Sequence, residues 1–466
     1  MSSTLIKNAL VYDGVLVAPR RVDVFFEGGT IRGVEPGLRV RARSVIDASG
    51  KILIPGLIDV ASDIDRYGGL FSHDIQKEFV RRGITTAIGG GSGVSLAPFR
   101  RALFQTFFYS PNFFHGNADW LSFGSFVKVL RAQKLLLHTG MLAGYRNFES
   151  PLYSKRDIRE HIERALEEGA LGISVPWDNS RGEQTFHDLA PVLAASGKVS
   201  LISFDPSRSA MGILPAIRRL VSRVRGKLHL SRLRPHVSLL PEYDFGHLDI
   251  SLSPFTPYPL HGFLPPSFHG LEFFEMLQRV FCPEYEETIL SHLRELPLEG
   301  AYISYVPHDL TAYSGARIQA LAFRFQLELS RAILHLMRMS RLRVILSIRN
   351  AHPRHCLPFL SHPDSLISSG GGISLSSSLS STHSFDSSLL SSAADSSGLS
   401  FGELLPKITS SPARLYGIER RGSIARGSRA DLVLLNRGKV SKVFVDGELV
   451  FADGMFYDKY PGKVLV

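Results

Sequence analysis

Asp63 and Asp65 stand two residues apart in Asp63-Ile64-Asp65-Arg66, with His73-Asp74 shortly after. Paired carboxylates are hard oxygen donors, suited to a divalent metal or a basic ligand. Their plainer role is a salt bridge to Arg66 or Arg232. Arg232 and Arg234 alternate in Leu230-Ser231-Arg232-Leu233-Arg234. On a strand both would face one way, which suits a carboxylate or phosphate and, equally, an ion pair with Asp63. His73-Asp74 is either an acid/base pair or a solvated loop. His138 closes the apolar run Leu135-Leu136-Leu137, and His229 lies three residues before Arg232. For both, a hydrogen-bonded core histidine is the simpler expectation. Gly89-Gly90-Gly91-Ser92-Gly93 lacks the Lys-Ser/Thr of a P-loop and the spacing of a dinucleotide fingerprint, so it reads as a tight turn. No Gly-x-Ser-x-Gly nucleophile elbow is present.

The elements that must position these residues fall into three parts. Residues 1–55 are strand-like, with turns at Asp13-Gly14 and Gly28-Gly29 and a further strand around Val45 to Lys51. Residues 405–466 are expected to hold a C-terminal helix and then strands of the same character, Ala430 to Leu435 and Val443 to Val450. The two ends are therefore expected to build one composite β-sandwich. Between them, residues 56–404 alternate strands with amphipathic helices: Lys77–Arg82 before Gly83–Ile88, Arg156–Glu168 before Ala170–Val175, and Leu214–Val224 before Lys227–Ser231. Repeated units of this kind imply an α/β fold with a parallel sheet, and over ~350 residues a TIM-like (β/α)8 barrel is the natural closure. Residues 365–400 are crowded with serine, as in Ser376-Ser377-Ser378, and are expected to form a long loop.

A chain of 466 residues, 44% hydrophobic and 21% charged, can bury a large core. The net charge of +10 is spread along the chain rather than gathered in a patch, so it points to no nucleic-acid partner. Cys282 and Cys356 belong to no CxxC pair, which argues against a disulfide framework or a zinc–thiolate site. No apolar run reaches the ~18 residues of a membrane span, and the first residues lack a signal-peptide pattern. A cytoplasmic location is expected, with no membrane partner. A homo-oligomer is compatible with everything above.

Several stretches carry a family resemblance. Ile54-Pro55-Gly56-Leu57-Ile58-Asp59-Val60-Ala61-Ser62-Asp63 resembles the first barrel strand of the amidohydrolase superfamily, which ends Asp-Val-His-x-His. Gly83-Ile84-Thr85-Thr86, Gly93 to Pro98, Ala165 to Ser174, Thr409 to Gly417, Gly422 to Val433 and Pro461 to Leu465 resemble the D-aminoacylase (N-acyl-D-amino-acid deacylase) branch, in the right order along nearly the whole chain. The resemblance implies the amidohydrolase barrel. It also implies a zinc ion that activates water against an amide, with a carboxylate moving protons.

The positions at which the family holds zinc are substituted here. The His-x-His pair falls on Ala61 and Asp63, the family cysteine on Ser92, two histidines on Phe204 and Arg232, and the aspartate, which is also the family's acid/base, on Ser369. Arginine does not ligate a metal in its charged state. Tyr145-Arg146 takes the place of a Gly-His-Gly segment and suits a pocket lining. His352-Pro353-Arg354 echoes a family run but precedes its expected strand.

Two functions follow. In the first, the chain is a degenerate relative with no zinc and no remaining hydrolase activity, retained for binding a small, anionic molecule or for assembly. Asp63, Asp65, Tyr145, Arg232 and Arg234 are then the candidate ligand-binding residues. In the second, it is a working hydrolase of linear amides such as N-acyl amino acids, with one divalent metal on substituted ligands drawn from Asp63, His73 and His138.

Overall fold

A computed structural model describes residues 2–66, 68–100, 118–149, 153–177, 188–189, 191–192, 195–203, 227–231, 247–251, 255–268, 271, 273–296, 298–306, 308–349, 357–370 and 388–466. The two chain ends form one continuous nine-stranded sheet. Ser3–Val11, Arg20–Glu27, Thr30–Glu35, Ser44–Asp47 and Ile52–Pro55 come from the N-terminal side, and Leu432–Asn436, Lys439–Val445, Glu448–Ala452 and Met455–Phe456 from the C-terminal side. The seam is antiparallel, with Ile54 opposite Val433. Alternation along the strands sends Ile6, Val24, Phe26, Leu53, Leu432, Leu434 and Phe444 into one core. Asp446-Gly447 and Asp453-Gly454 turn their hairpins with positive φ at both residues, 50° and 79° in the first and 49° and 93° in the second. That geometry matches the twist of the flanking strands.

Pro55-Gly56 leads from this sheet into the barrel. Among the described residues its wall has eight strands in chain order: Leu57–Asp59, Ile84–Gly89, His138–Met141 continued by Ala143–Gly144, Gly172–Pro176, Val199–Ser203, Lys227–Ser231, His247–Ser251 and Ser365–Ser368. Every neighbouring pair is parallel. The last strand meets the first where the Ser369 N–H donates to Asp59 at 3.0 Å. Ile58, Ile88, Val199, Leu201 and Leu366 come from four strands and, with Leu142 between the two parts of the third, share one cluster, as side chains lining the inside of a ring must. Leu415 and Tyr416, at the end of the helix Ser410–Tyr416, join that cluster and plug one end. The strands approach closely at Gly172, where a Cβ would lie 2.1 Å from the Val199 carbonyl oxygen. Backbone cannot yield as a side chain can, so Gly172→Ala is expected to destabilise by about 1–3 kcal/mol, measured by urea denaturation.

The helix Lys155–Glu167 lies within one residue of its expected span. Ser154 and Asp157 form a reciprocal cap at its start. The helix expected at 214–224 lies outside the described residues.

Two expectations need correcting. The Ser-rich stretch 365–400 is not loop throughout: Ser365–Ser368 is a buried barrel strand and Ser388–Ser397 is a helix. Leu366 and Ile367 supply the apolar pair that a strand buried on both faces requires, and Leu390 and Ala393, three apart, anchor the helix. Second, the middle is not barrel alone. Between the seventh and eighth strands lies an inserted unit, with the antiparallel strands Phe255–Pro259, Tyr302–Tyr305 and Ile345–Arg349 and the helices Phe273–Phe281, Glu286–Glu295, Ile318–Phe325 and Leu329–Ser340. It has its own core around Leu290, Leu293, Ile333 and Met337. Its first and last strands pair at Phe255 and Arg349. No described helix is long and apolar enough to cross a membrane.

Candidate functional site

Catalytic groups of such barrels gather where the strands end. At that end of the first strand the chain places Ala61, Asp63 and Asp65, all buried. Arg66 reaches two of the sequence-predicted positions, with Nη1 3.7 Å from Asp63 Oδ2 and 3.4 Å from Ser92 Oγ. Asp65 Oδ2 accepts the Gly90 N–H at 3.1 Å, while its other oxygen is buried with no hydrogen-bond partner among the described residues. Burial, and then the charge of Asp63, push the Asp65 carboxyl up to about 7.

The glycine run is a turn with two of its N–H donors spent inside the protein. The Gly90 N–H goes to Asp65 and the Gly93 N–H to Ser174 Oγ at 3.1 Å. Both glycines have positive φ. Tyr145 opens a short 3-10 turn beyond the third strand and packs half-buried against the main core. Phe204, Arg232, Arg234 and His352-Pro353-Arg354 lie outside the described residues.

The structure does not bring His73 or His138 to Asp63. His73 begins a helix, with Nε2 2.9 Å from the Lys134 carbonyl oxygen and its ring 4.5 Å from that of Tyr460. His138 sits at the start of its strand, at the opposite end of the barrel. There it lies within 4.8 Å of Asp431 and Asp446, the one described trio with ligand atoms close enough for a metal. The surroundings are those of an ion-pair cluster. Nδ1 faces the Lys463 backbone N–H at 3.1 Å, and Nε2 lies 3.1 Å from Asp431 Oδ1 and 2.8 Å from Arg421 Nη1. A metal-binding histidine gives its far N–H to an acceptor, whereas here a donor faces each ring nitrogen. Arg421 pairs with Asp431, and Arg429 and Lys463 pair with Asp446. Burial opposes the charge on Asp431, yet His138 and Arg421 hold its carboxyl well below the usual range.

Reading of the sequence missed a polar network in the barrel interior. The Tyr416 hydroxyl donates to His229 Nδ1 at 2.7 Å, His229 Nε2–H donates to Asp249 at 2.9 Å, and Ser368 donates to the other Asp249 oxygen at 2.6 Å. These bonds lower the Asp249 carboxyl against the cost of its burial. Beside them, Ser369 gives Asp59 both its N–H and its hydroxyl, the latter at 2.5 Å. Burial pushes Asp59 up to about 6. The Asp-Val end of the first strand was the available signal for Asp59. Nothing nearby in sequence marks Asp249 or Tyr416. A cleft of about 400 Å3 also opens between the helices Phe123–Arg131 and Lys155–Glu167, but its Arg164 and Glu168 already pair at 2.9 Å.

Comparisons with known proteins agree with this architecture. Residues 342–450 match the amidohydrolase family. The chain is 28% identical over 183 residues to the N-acyl-D-aspartate deacylase of Alcaligenes xylosoxydans xylosoxydans, and 24% identical over 187 residues to the D-aminoacylase of the same organism. Each match covers 36% of this chain, and the chain spans little more than a third of each relative, 36% and 37%. A D-aminoacylase structure described for its binuclear metal centre superposes with a TM-score of 0.76 at 18% identity, over 99% of both chains. The N-acyl-D-glutamate deacylase of Bordetella bronchiseptica, solved with zinc and a phosphonate inhibitor, gives 0.72 at 19% identity, again over 99% of both chains. The chain has the amidohydrolase barrel fold, and D-aminoacylases and N-acyl-D-amino-acid deacylases are among the proteins it resembles in sequence and in architecture.

Proposed function

We propose that this chain is a D-aminoacylase-like protein in which a guanidinium stands where the family keeps zinc, and that it binds a small anionic molecule rather than hydrolysing an amide. The carrying observation is Arg66, which spans the substituted positions Asp63 and Ser92. The residues present do not fit a zinc ion. Ala61 offers no ligand atom, a serine hydroxyl at position 92 is a weak one, and Ser369 is spent on Asp59. A divalent ion beside the Arg66 cation would be repelled. Without metal-activated water, the family's route to amide attack is missing. The second reading draws on substituted ligands such as Asp63, His73 or His138, and neither histidine lies beside Asp63. Arg232 and Arg234 are the cations offered to an anionic ligand.

Elemental analysis of protein purified without chelators, run beside a hydrolysis assay on N-acetyl-D-amino acids, tests this. The expected result is far less than one equivalent of zinc, no turnover, and a Tm unchanged by EDTA. One tightly held equivalent, lost together with amidase activity in Asp63→Ala, would overturn the reading. Arg66→Ala is expected to cost about 1–3 kcal/mol of stability, because it removes the guanidinium that lies 3.7 Å from the buried Asp63 carboxylate. The ligand class is read separately, by thermal shift with phosphate and small carboxylates. No Tm rise with any of them refutes that part.

A further inference from the structure

On the outside of the barrel, the cleft of about 400 Å3 between the helices Phe123–Arg131 and Lys155–Glu167 has the size of a small-molecule site. Phe99, Phe123 and Phe148 wall it, the last two buried. Leu121 and Tyr153 also line it, but they are 85% and 44% exposed and so stand at its mouth. Large apolar side chains left in water around a concave, ring-lined space suit a flat apolar guest. The polar groups of the lining are unequally engaged. Glu168 accepts the Gly124 N–H at 2.7 Å on one oxygen and the Arg164 Nε–H at 2.9 Å on the other. Ser122 caps its helix by accepting the Ser125 N–H at 3.1 Å. Asn147 accepts the Ser95 N–H at 2.9 Å and donates to the Ser95 and Pro98 carbonyls at 2.7 and 2.8 Å. The arginines are less committed. Arg164 pairs with Glu168 through Nε alone, and Arg100 gives Nη1 to the Glu149 carbonyl oxygen. Among the described residues no carboxylate pairs with Arg100. The lining therefore sets two guanidinium groups, which carry donors only, against one carboxylate that is already engaged.

We propose that this cleft is a second small-molecule site, separate from the barrel mouth, and that it takes a small aromatic carboxylate. The ring lies among Phe99, Phe123 and Phe148, and the carboxylate is held by the guanidinium groups of Arg164 and Arg100. A guest without acceptors would leave the open arginine donors unmatched, and an inorganic anion would leave the aromatic walls wet. The proposal does not use Arg66 or the substituted zinc positions, so it stands or falls apart from them.

The chain has two tryptophans, and each stands by one of the two places. The Trp120 ring lies 5.9 Å from that of Phe99, and Trp177 directly follows the fourth barrel strand, at the end where Asp63 lies. Fluorine NMR of the full chain carrying fluorotryptophan, with the two resonances assigned by Trp177→Phe, therefore separates the cleft from the mouth. Titration with naphthoate is expected to move the Trp120 resonance to saturation by about 5 mM. Leu121 and Arg164 are exposed, so Leu121→Asp combined with Arg164→Gln alters the charge of the cleft without touching the core. That double variant should weaken the Trp120 response by about tenfold or more. Naphthylmethanol keeps the rings and loses the charge, and it should bind about tenfold more weakly than naphthoate. A Trp120 resonance that does not move, movement of the Trp177 resonance alone, or equal affinity in the double variant or for the alcohol overturns the proposal.

Discussion

Replacing Ser369 by aspartate, the residue that the family resemblance implies there, is expected to destabilise this protein by about 3–5 kcal/mol at pH 8. Ser369 joins the last barrel strand to the first by giving Asp59 two hydrogen bonds. An aspartate would keep the backbone donor but set a second buried carboxylate against the first, with no donor between them. Asp59 is already pushed up to about 6, chiefly by burial and further by the charge of Asp249. Two such groups cannot both ionise, so one should take up a proton as the pH falls and rebuild a hydrogen bond. The loss should therefore shrink toward pH 5. Added zinc should not restore stability, because Ala61 and Arg66 remain in place. Urea denaturation of Ser369→Asp at pH 8 and pH 5, with and without zinc, reads all three outcomes. An undiminished midpoint at pH 8 would show that the ring does not close through this pair.

The second large effect concerns pH. Asp59 and Asp65 have carboxyls raised to about 6 and about 7 from 3.8. A raised acid binds its proton more tightly when the protein is folded. Its contribution is therefore fully present below about pH 4 and is lost as the pH rises through the folded value. For Asp65 the amount is on the order of 4 kcal/mol. Asp249, Asp431 and Asp446 are lowered, and they act in the opposite sense, losing stability only as the pH drops through their own folded values. The stability maximum should lie on the acid side, between about pH 4 and 6, with a fall toward pH 8. Asp65→Asn should be more stable than wild type at pH 8 and should flatten that fall. A wild-type curve that is level or rising from pH 5 to 8 would refute the assignment.

The first barrel strand and the ends of the chain were legible because local patterns encode them. Pro55-Gly56 announces the passage from sheet to barrel, alternation marks Val22–Phe26, and paired Asp-Gly turns close the last hairpins. What escaped notice was written at long range. Ser369 and Asp59 are 310 positions apart, and His229 and Tyr416 are 187 apart. Nothing in either neighbourhood specifies the other. Asp63 and Asp65 announce themselves by spacing, yet spacing does not show that both would be buried, or that Arg66 would reach Ser92. His138 illustrates a different gap. An apolar run ending in histidine looks the same whether the histidine ends a strand or begins one, and the two cases put it at opposite ends of the barrel. The inserted unit was hidden likewise, since amphipathic helices between strands have one periodicity whether they cross a parallel sheet or back an antiparallel one.

That unit leaves the barrel and returns to it through two strands paired at Phe255 and Arg349. Seen from the ring, the whole insertion spans no more than the width of one hairpin. Its helices can therefore change sequence, lengthen or acquire a surface of their own while the eight-stranded wall feels only a fixed pair of anchor points. A scaffold arranged in this way can abandon an old chemistry at its centre and take up a new task at its margin, because neither region has to be refolded for the sake of the other.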